Sequence, residues 1–458
     1  MASATKPPDQ PFATFNPSAA EPFDHRRLCH LLRRAALGVS PQRLKRYAGQ
    51  SPAQVVDVLT GYDPNRDPYH DLLDGLGGIS PIYNPVDAQK WWLLRMLDTD
   101  APLQERMALF WHNHFATSTG KVRQSALVSR QIDLFRQKGM GNFRDLLMSV
   151  TRDAAMLLWL DGSKNKRGRP NENYAREVME LFTLGIGHYT ERDVQELARA
   201  FTGWQVLDES VEFFPEAFDD GAKTVLGQTD RFDARGAIDL LLRQPAAPAF
   251  IANKLLKEFV HPQPMSEHVE HVAGRIRHYG WEIKPVVREI LSSRLFFSDY
   301  AWRSKIKSPC EVVVGAILAL DVQKDTGFAQ TAMNNMGQAL LAPPSVKGWD
   351  GGEAWINANT ILHRYNFALD LLQRQNADKA VAAWQRQGVG TAEQTVDCLA
   401  GLLLDGAIVA GAHKQFVDYL GKDENGKAQP FILDRKTFET RVRGVAHLMM
   451  CMPEYQLA

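Results

Sequence analysis

The chain has 458 residues, 45% of them hydrophobic, enough to bury a large core. Lysine plus arginine (53) equals aspartate plus glutamate (53), so nothing pulls the whole molecule toward nucleic acid or an anionic membrane. Cys29, Cys310, Cys398 and Cys451 lie far apart, which leaves no metal-binding spacing and no dense disulfide framework.

The opening stretch, MASATKPPDQPFATFNPSAAEPF, is polar and proline-rich and lacks an apolar h-region. It reads as a disordered leader over residues 1–24, not as a signal peptide. A cytoplasmic chain is therefore expected, with export by another route left open. No apolar run approaches the ~18–20 residues that span a bilayer. From residue 25 onward most segments read as helix. Leu28, Leu31, Leu32 and Ala35 form a stripe ending at Gly38, and Ser40-Pro41 supplies an N-cap and a first-turn proline. Further helices are expected over 87–98, 102–115, 123–138 and 143–150.

The segment Asn171–Trp204, NENYAREVMELFTLGIGHYTERDVQELARAFTGW, is the most informative. At about 100° per residue, Glu172, Asn173, Arg176, Glu177 and Glu180 share one arc of a helix entered at Pro170 and left at Gly185. Glu172, Arg176 and Glu180 follow an i, i+4, i+8 spacing, so the arginine is expected to pair with a carboxylate on either side. Thr190 and Asp193 resemble a capping box for the next helix. The polar arc has two readings. As a solvated face, its pairs are each worth only about 0.2–0.5 kcal/mol. As the lining of a cleft, Glu177 and Glu180 would do acid–base or metal work beside Arg176.

Residues 204–227 break the helical pattern with short β-like runs at Val206, Val211, Phe213 and Thr224–Leu226. Helices resume from about 234 to 321. A loop rich in proline and glycine covers 341–354, and a helix runs from Trp355 to about Arg374. Residues 375–440 carry no strong signature. The expected fold is mainly α: one large helical domain over 25–458, with a small β-hairpin or long-loop insert near residues 204–230. A sub-boundary is expected near 205–232, and a less ordered segment near 420–432.

Other clusters invite chemical readings. In Trp111-His112-Asn113-His114-Phe115, the two histidines fall on opposite sides of a helix, so they cannot chelate one ion together. His114 lies on the aromatic stripe. It either bonds a backbone carbonyl or faces the carboxylates of the Glu177–Glu180 helix as a third catalytic candidate. Asp219-Asp220-Gly221 reads as a turn, with a hard-cation loop as the alternative. Trp349, Asp350, Trp355 and Asn357 combine aromatics, a carboxylate and an amide, a set that suits a carbohydrate; tryptophans packed at a helix–loop junction explain the same residues. The basic run Lys164–Arg169 reads as a solvated loop or an anion contact. The residues name neither a metal nor a cofactor, and no nucleic-acid partner is expected.

Five stretches together resemble a bacterial family catalogued as domain of unknown function 1800. They are His30–Gly38 (HLLRRAALG), Phe110–Phe115 (FWHNHF), the Asn171–Trp204 segment, Lys223–Gly227 (KTVLG), and Gly348–Gly352 with Trp355-Ile-Asn. The resemblance runs from about residue 28 to the C-terminus. It implies no assigned reaction. It implies that many members are exported and are encoded beside a sulfatase-like family, which makes a sulfatase-like protein the expected partner. It also implies that His114 occupies a steadier position than His112, and that Asp219 stands where many members carry histidine. Two functions follow as expectations. One is a scaffold or accessory protein working with an envelope-associated or sulfatase-like partner. The other is a metal- or carboxylate-dependent hydrolase of an envelope glycan or sulfated polymer, using Glu177, Glu180 and His114 with Arg176.

Overall fold

Side-chain caps mark where the helices begin. Asp24, Ser40, Asn142, Asp153 and Asp233 each accept a hydrogen bond from a backbone N–H in the first turn of the helix that follows. Ser51, Thr190, Ser308, Asn357 and Thr391 close full capping boxes. Such caps satisfy N–H groups that have no partner inside the helix. The computed structural model describes residues 6–65, 84–409, 411–423 and 425–458, and these form a mainly α protein with two small antiparallel hairpins. No helix among the described residues is long and apolar enough to cross a membrane.

The expected helices lie close to their predicted bounds: His25–Ala35, Pro85–Asp98, Pro102–His114, Ser125–Lys138 and Phe143–Thr151. Two short helices, Pro52–Thr60 and Ala154–Trp159, had no counterpart in the sequence reading. The region 375–440 also holds more structure than its weak signature suggested, with helices Ala377–Arg386, Ala392–Leu403 and Ala412–Leu420. Their buried stripes rely partly on alanine, which gives little contrast in hydropathy.

The insert consists of β1 (Trp204–Leu207) paired with β2 (Ser210–Phe213), then β3 (Lys223–Val225) paired with β4 (Gln228–Asp230). Both hairpins turn on two residues with positive φ, Asp208-Glu209 and Leu226-Gly227, which suits the twist of a tight hairpin. Val225 is fully buried within the same core that holds Leu197 and Ile238, so the hairpins are set into the helical body.

The segment read as a disordered leader is largely built in; its first five residues lie outside those described. Phe15 is buried against Phe297, with ring centroids 4.8 Å apart. Its N–H donates to the Ser292 carbonyl (2.8 Å), and the N–H of Arg294 donates to that of Ala13 (2.9 Å). A polar, proline-rich composition hid two phenylalanines, Phe12 and Phe15, that pack on the body. At the other end, the Ala458 N–H donates to the Lys305 carbonyl and the Lys307 N–H to that of Gln456, both at 2.8 Å. Within the segment expected to be less ordered, Glu424 lies outside the described residues. Around it, Gln429 N–H bonds Gly421 O (2.9 Å) and closes a compact turn.

Candidate functional site

The Asn171–Trp204 segment does not continue as one α-helix. It is α-helical over Asn173–Glu177 and then widens into a π-helix over Val178–Thr183. Thr183 marks the wider turn by donating its hydroxyl to the Val178 carbonyl five residues back (2.5 Å). Because i→i+5 turns advance each residue by a smaller angle, the single arc projected from α-helical spacing breaks after Glu177. The expected Arg176–Glu180 pair is therefore absent. Arg176 instead makes a two-pronged pair with Glu191, at the start of the next helix (2.7 Å on both prongs), and keeps Glu172 at 3.1 Å. Glu180 accepts from the Tyr189 hydroxyl (2.7 Å).

Glu177 is left as a half-buried carboxylate with no hydrogen-bond partner among the described residues. Burial, and then the nearby Glu180 charge, push its pKa up to about 7. The helix ends in a tip where Gly185 and Gly187 both take positive φ (86° and 92°), a conformation L side chains avoid. Between them Ile186 is 79% exposed.

His114 is buried and turned toward the same helix, but it meets backbone. Its Nε2–H donates to the Phe182 carbonyl (3.2 Å), one of the carbonyls freed at a helix end. Burial first, and then Lys254, hold the imidazole well below its ordinary pKa, so it is neutral. His112 points elsewhere. It is fully buried between Trp92 and Trp349, each ring centroid 5.5 Å away, and burial lowers its pKa to about 3. Among the described residues, no group of three or more His, Cys, Asp or Glu side chains is placed to hold a metal ion.

Asn113, between the two histidines, joins the Pro102–His114 helix to the glycine-rich loop. Its Oδ1 accepts the Trp349 N–H at 2.7 Å. Gly348, at φ 86°, lies so close that a Cβ there would be 2.3 Å from Asn113 Oδ1 and 2.4 Å from its carbonyl oxygen. Trp349 and Trp355 are both buried, so they form walls, not exposed stacking platforms. Asp350 is exposed and pairs with Lys347 (2.5 Å). Asn357 caps the Ala358–Arg374 helix, accepting from the N–H groups of Asn359 and Thr360.

The two tryptophans border something the sequence reading missed, a half-open cavity of about 110 Å³, room for roughly three or four waters. Arg106, Glu258, Lys305 and Glu311 line it. Arg106 lies 2.5 Å from Glu258 and 2.7 Å from Glu311, and Lys305 reaches Glu258 at 2.8 Å. Burial works to raise the Glu311 carboxyl, but Arg106 and then Lys305 outweigh it and hold it below the carboxylate range. Arg106 Nη2 is buried without a hydrogen-bond partner. A sequence signal for part of this network existed: Glu311 is the one charge in the apolar helix Pro309–Ala319.

The Asp219 turn resolves its two readings with a cation of its own. The Lys223 ammonium, fully buried, donates to the carbonyls of Asp219 (2.6 Å) and Gly221 (2.9 Å). The Asp219 carboxylate is held by Arg199 at 2.8 and 3.1 Å. In the basic run, Arg167 pairs with Asp220 and donates to the Phe218 carbonyl, and Lys164 pairs with Asp161.

These features define a class: a mainly α protein whose Asn113-clamped glycine loop covers a buried ion network, with a π-containing helix alongside. The chain belongs to the family described as "Protein of unknown function (DUF1800)", which matches residues 30–457. No curated protein and no solved structure matches it.

Proposed function

We propose that this protein is a helical scaffold or accessory protein that docks an envelope-associated, sulfatase-like partner through the Ile186 tip. The observation that carries this reading is the 79% exposure of Ile186 on a tip held by two left-handed glycines. A large aliphatic side chain presented in this way is suited to an apolar socket on a partner. On the helix leading to it, Arg176 is engaged by Glu191 and Glu172 and Glu180 by Tyr189, which leaves Glu177 as the unpartnered carboxylate among the described residues. The test is calorimetric titration of the purified chain with a sulfatase-like protein from the same organism. A saturable complex is expected, weakened at least about tenfold (about 1.4 kcal/mol) by Ile186→Asp and unchanged by Glu177→Gln. No complex, or one indifferent to Ile186→Asp, would sink the idea.

One observation favours a second reading, a hydrolase of an envelope glycan or sulfated polymer. Glu177 has no hydrogen-bond partner among the described residues and a pKa near 7, a value suited to a general acid at neutral pH. In this reading activity against such polymers falls as pH rises through about 7, and Glu177→Gln abolishes it. Hydrolysis that survives that substitution removes Glu177 from the chemistry.

A further inference from the structure

A large cleft lies away from both of these regions, between helices near the two ends of the described chain. Its volume is about 900 Å³, and it lies between the helices His25–Ala35 and Pro41–Tyr47 on one side and Ala377–Arg386, Ala392–Leu403 and Ala412–Leu420 on the other. Sites for small organic ligands run from roughly 300 to 1,000 Å³. Most of the wall is apolar, led by Leu44, Trp384, Leu402 and Ile408.

The polar groups of the lining are mostly paired with one another. His25 Nε2–H donates to the Gly401 carbonyl (2.9 Å), and His413 bonds the Asp397 carboxylate (2.9 Å). Asp397, the one acidic residue among the described lining residues, is engaged by that hydrogen bond. Lys45 is exposed at the rim and makes no ion pair or side-chain hydrogen bond among the described residues. The cleft therefore offers a mainly apolar chamber with a cation at its edge, Lys45, that has no partner among the described residues.

We propose that this cleft binds a monomeric anionic amphiphile, a long-chain carboxylate, with its tail along Leu44, Trp384 and Ile408 and its head at Lys45. An unpartnered cation beside a mainly apolar wall matches a ligand with an anionic head and an apolar tail. A cationic amphiphile would meet Lys45 unfavourably, and a neutral alcohol would leave it unpaired. Burial keeps the Cys398 thiol in the lining protonated, with a pKa near 11, so it serves as a reporter of occupancy and not as a nucleophile.

The experiment is calorimetry on the full chain with decanoate, 1-decanol and decyltrimethylammonium. It is paired with maleimide labelling of Cys398 read by peptide mass spectrometry. One-to-one decanoate binding is expected, at least about tenfold tighter than either counterpart. Lys45→Glu, an exposed change that leaves the circular dichroism spectrum unaltered, is expected to cost the same factor. Bound decanoate slows labelling of Cys398 several-fold and leaves Cys451 unaffected. Absence of saturable binding, equal binding of the three amphiphiles, or labelling of Cys398 that ignores decanoate would each overturn the proposal.

Discussion

Arg106 and Arg176 each hold two carboxylates at ordinary ion-pair distances, Glu258 and Glu311 in one case, Glu172 and Glu191 in the other. The Arg106 side chain is 1% exposed and that of Arg176 is 34%. Water and ions screen the second cluster, so its pairs add little to stability. In the first, each charge depends on its partners, because an isolated ion at that depth is costly. Residue type and distance are alike; depth decides which cluster the fold depends on. The cluster most visible in the sequence is the less important of the two.

The sharpest way to break this comparison is to remove one charge from each cluster. Arg106→Leu leaves Glu258 and Glu311 with Lys305 in ion-pair contact and the Arg34 charge beyond it, and is expected to cost about 3–5 kcal/mol in urea unfolding. A cost below about 1 kcal/mol would mean that the buried carboxylates find water or each other's protons. Gly348→Ala tests how firmly the covering loop is clamped. A Cβ there meets the Asn113 carbonyl, in a backbone region that disfavours alanine, so a loss of about 2–3 kcal/mol is expected from the same measurement.

Depth should also appear in the pH dependence. His30 and His112 titrate near 3 in the folded chain, and His114 well below its ordinary value, because burial disfavours their charged forms. Below about pH 6.5 the unfolded chain binds protons that the native chain refuses, so stability falls as pH drops toward 3. Asp153 and Glu177, raised by burial to about 6 and 7, act in the opposite direction and make the net slope shallower. His112 makes no side-chain hydrogen bond among the described residues. His112→Phe is therefore expected to leave stability at pH 7.5 nearly unchanged and to save about 2 kcal/mol of the loss seen at pH 5. The smallest effect belongs to the exposed cluster: Arg176→Ala should cost at most about 1 kcal/mol, and less in high salt.

Much of the fold was legible from local chemistry. The cap at Ser40, the Thr190–Asp193 capping box and the runs at Val206 and Val211 are written in adjacent residues, and the helices and hairpins follow them. Helical spacing also separated His112 from His114. The π-turn after Glu177 was not legible, because hydrophobic periodicity assumes α geometry. That one change moved Arg176 from Glu180 to Glu191. The partners of Arg106 come from residues 258 and 311, and nothing local links them. The roles of Asn113 as a clamp and of Lys223 as the cation of its own loop likewise depend on contacts that spacing does not encode.

The stretch from 292 to 307 is stitched to both ends of the chain, by residues 11–15 on one side and 456–458 on the other. A ribosome delivers those partners far apart in time. When the middle stretch emerges, its first half finds residues 11–15 already waiting. Its second half must stay unpaired until about 150 further residues have been made, roughly ten to thirty seconds at ordinary elongation rates. The Lys305–Lys307 edge thus waits for partners made about 150 residues later, and until then its backbone N–H and C=O groups stay open to solvent.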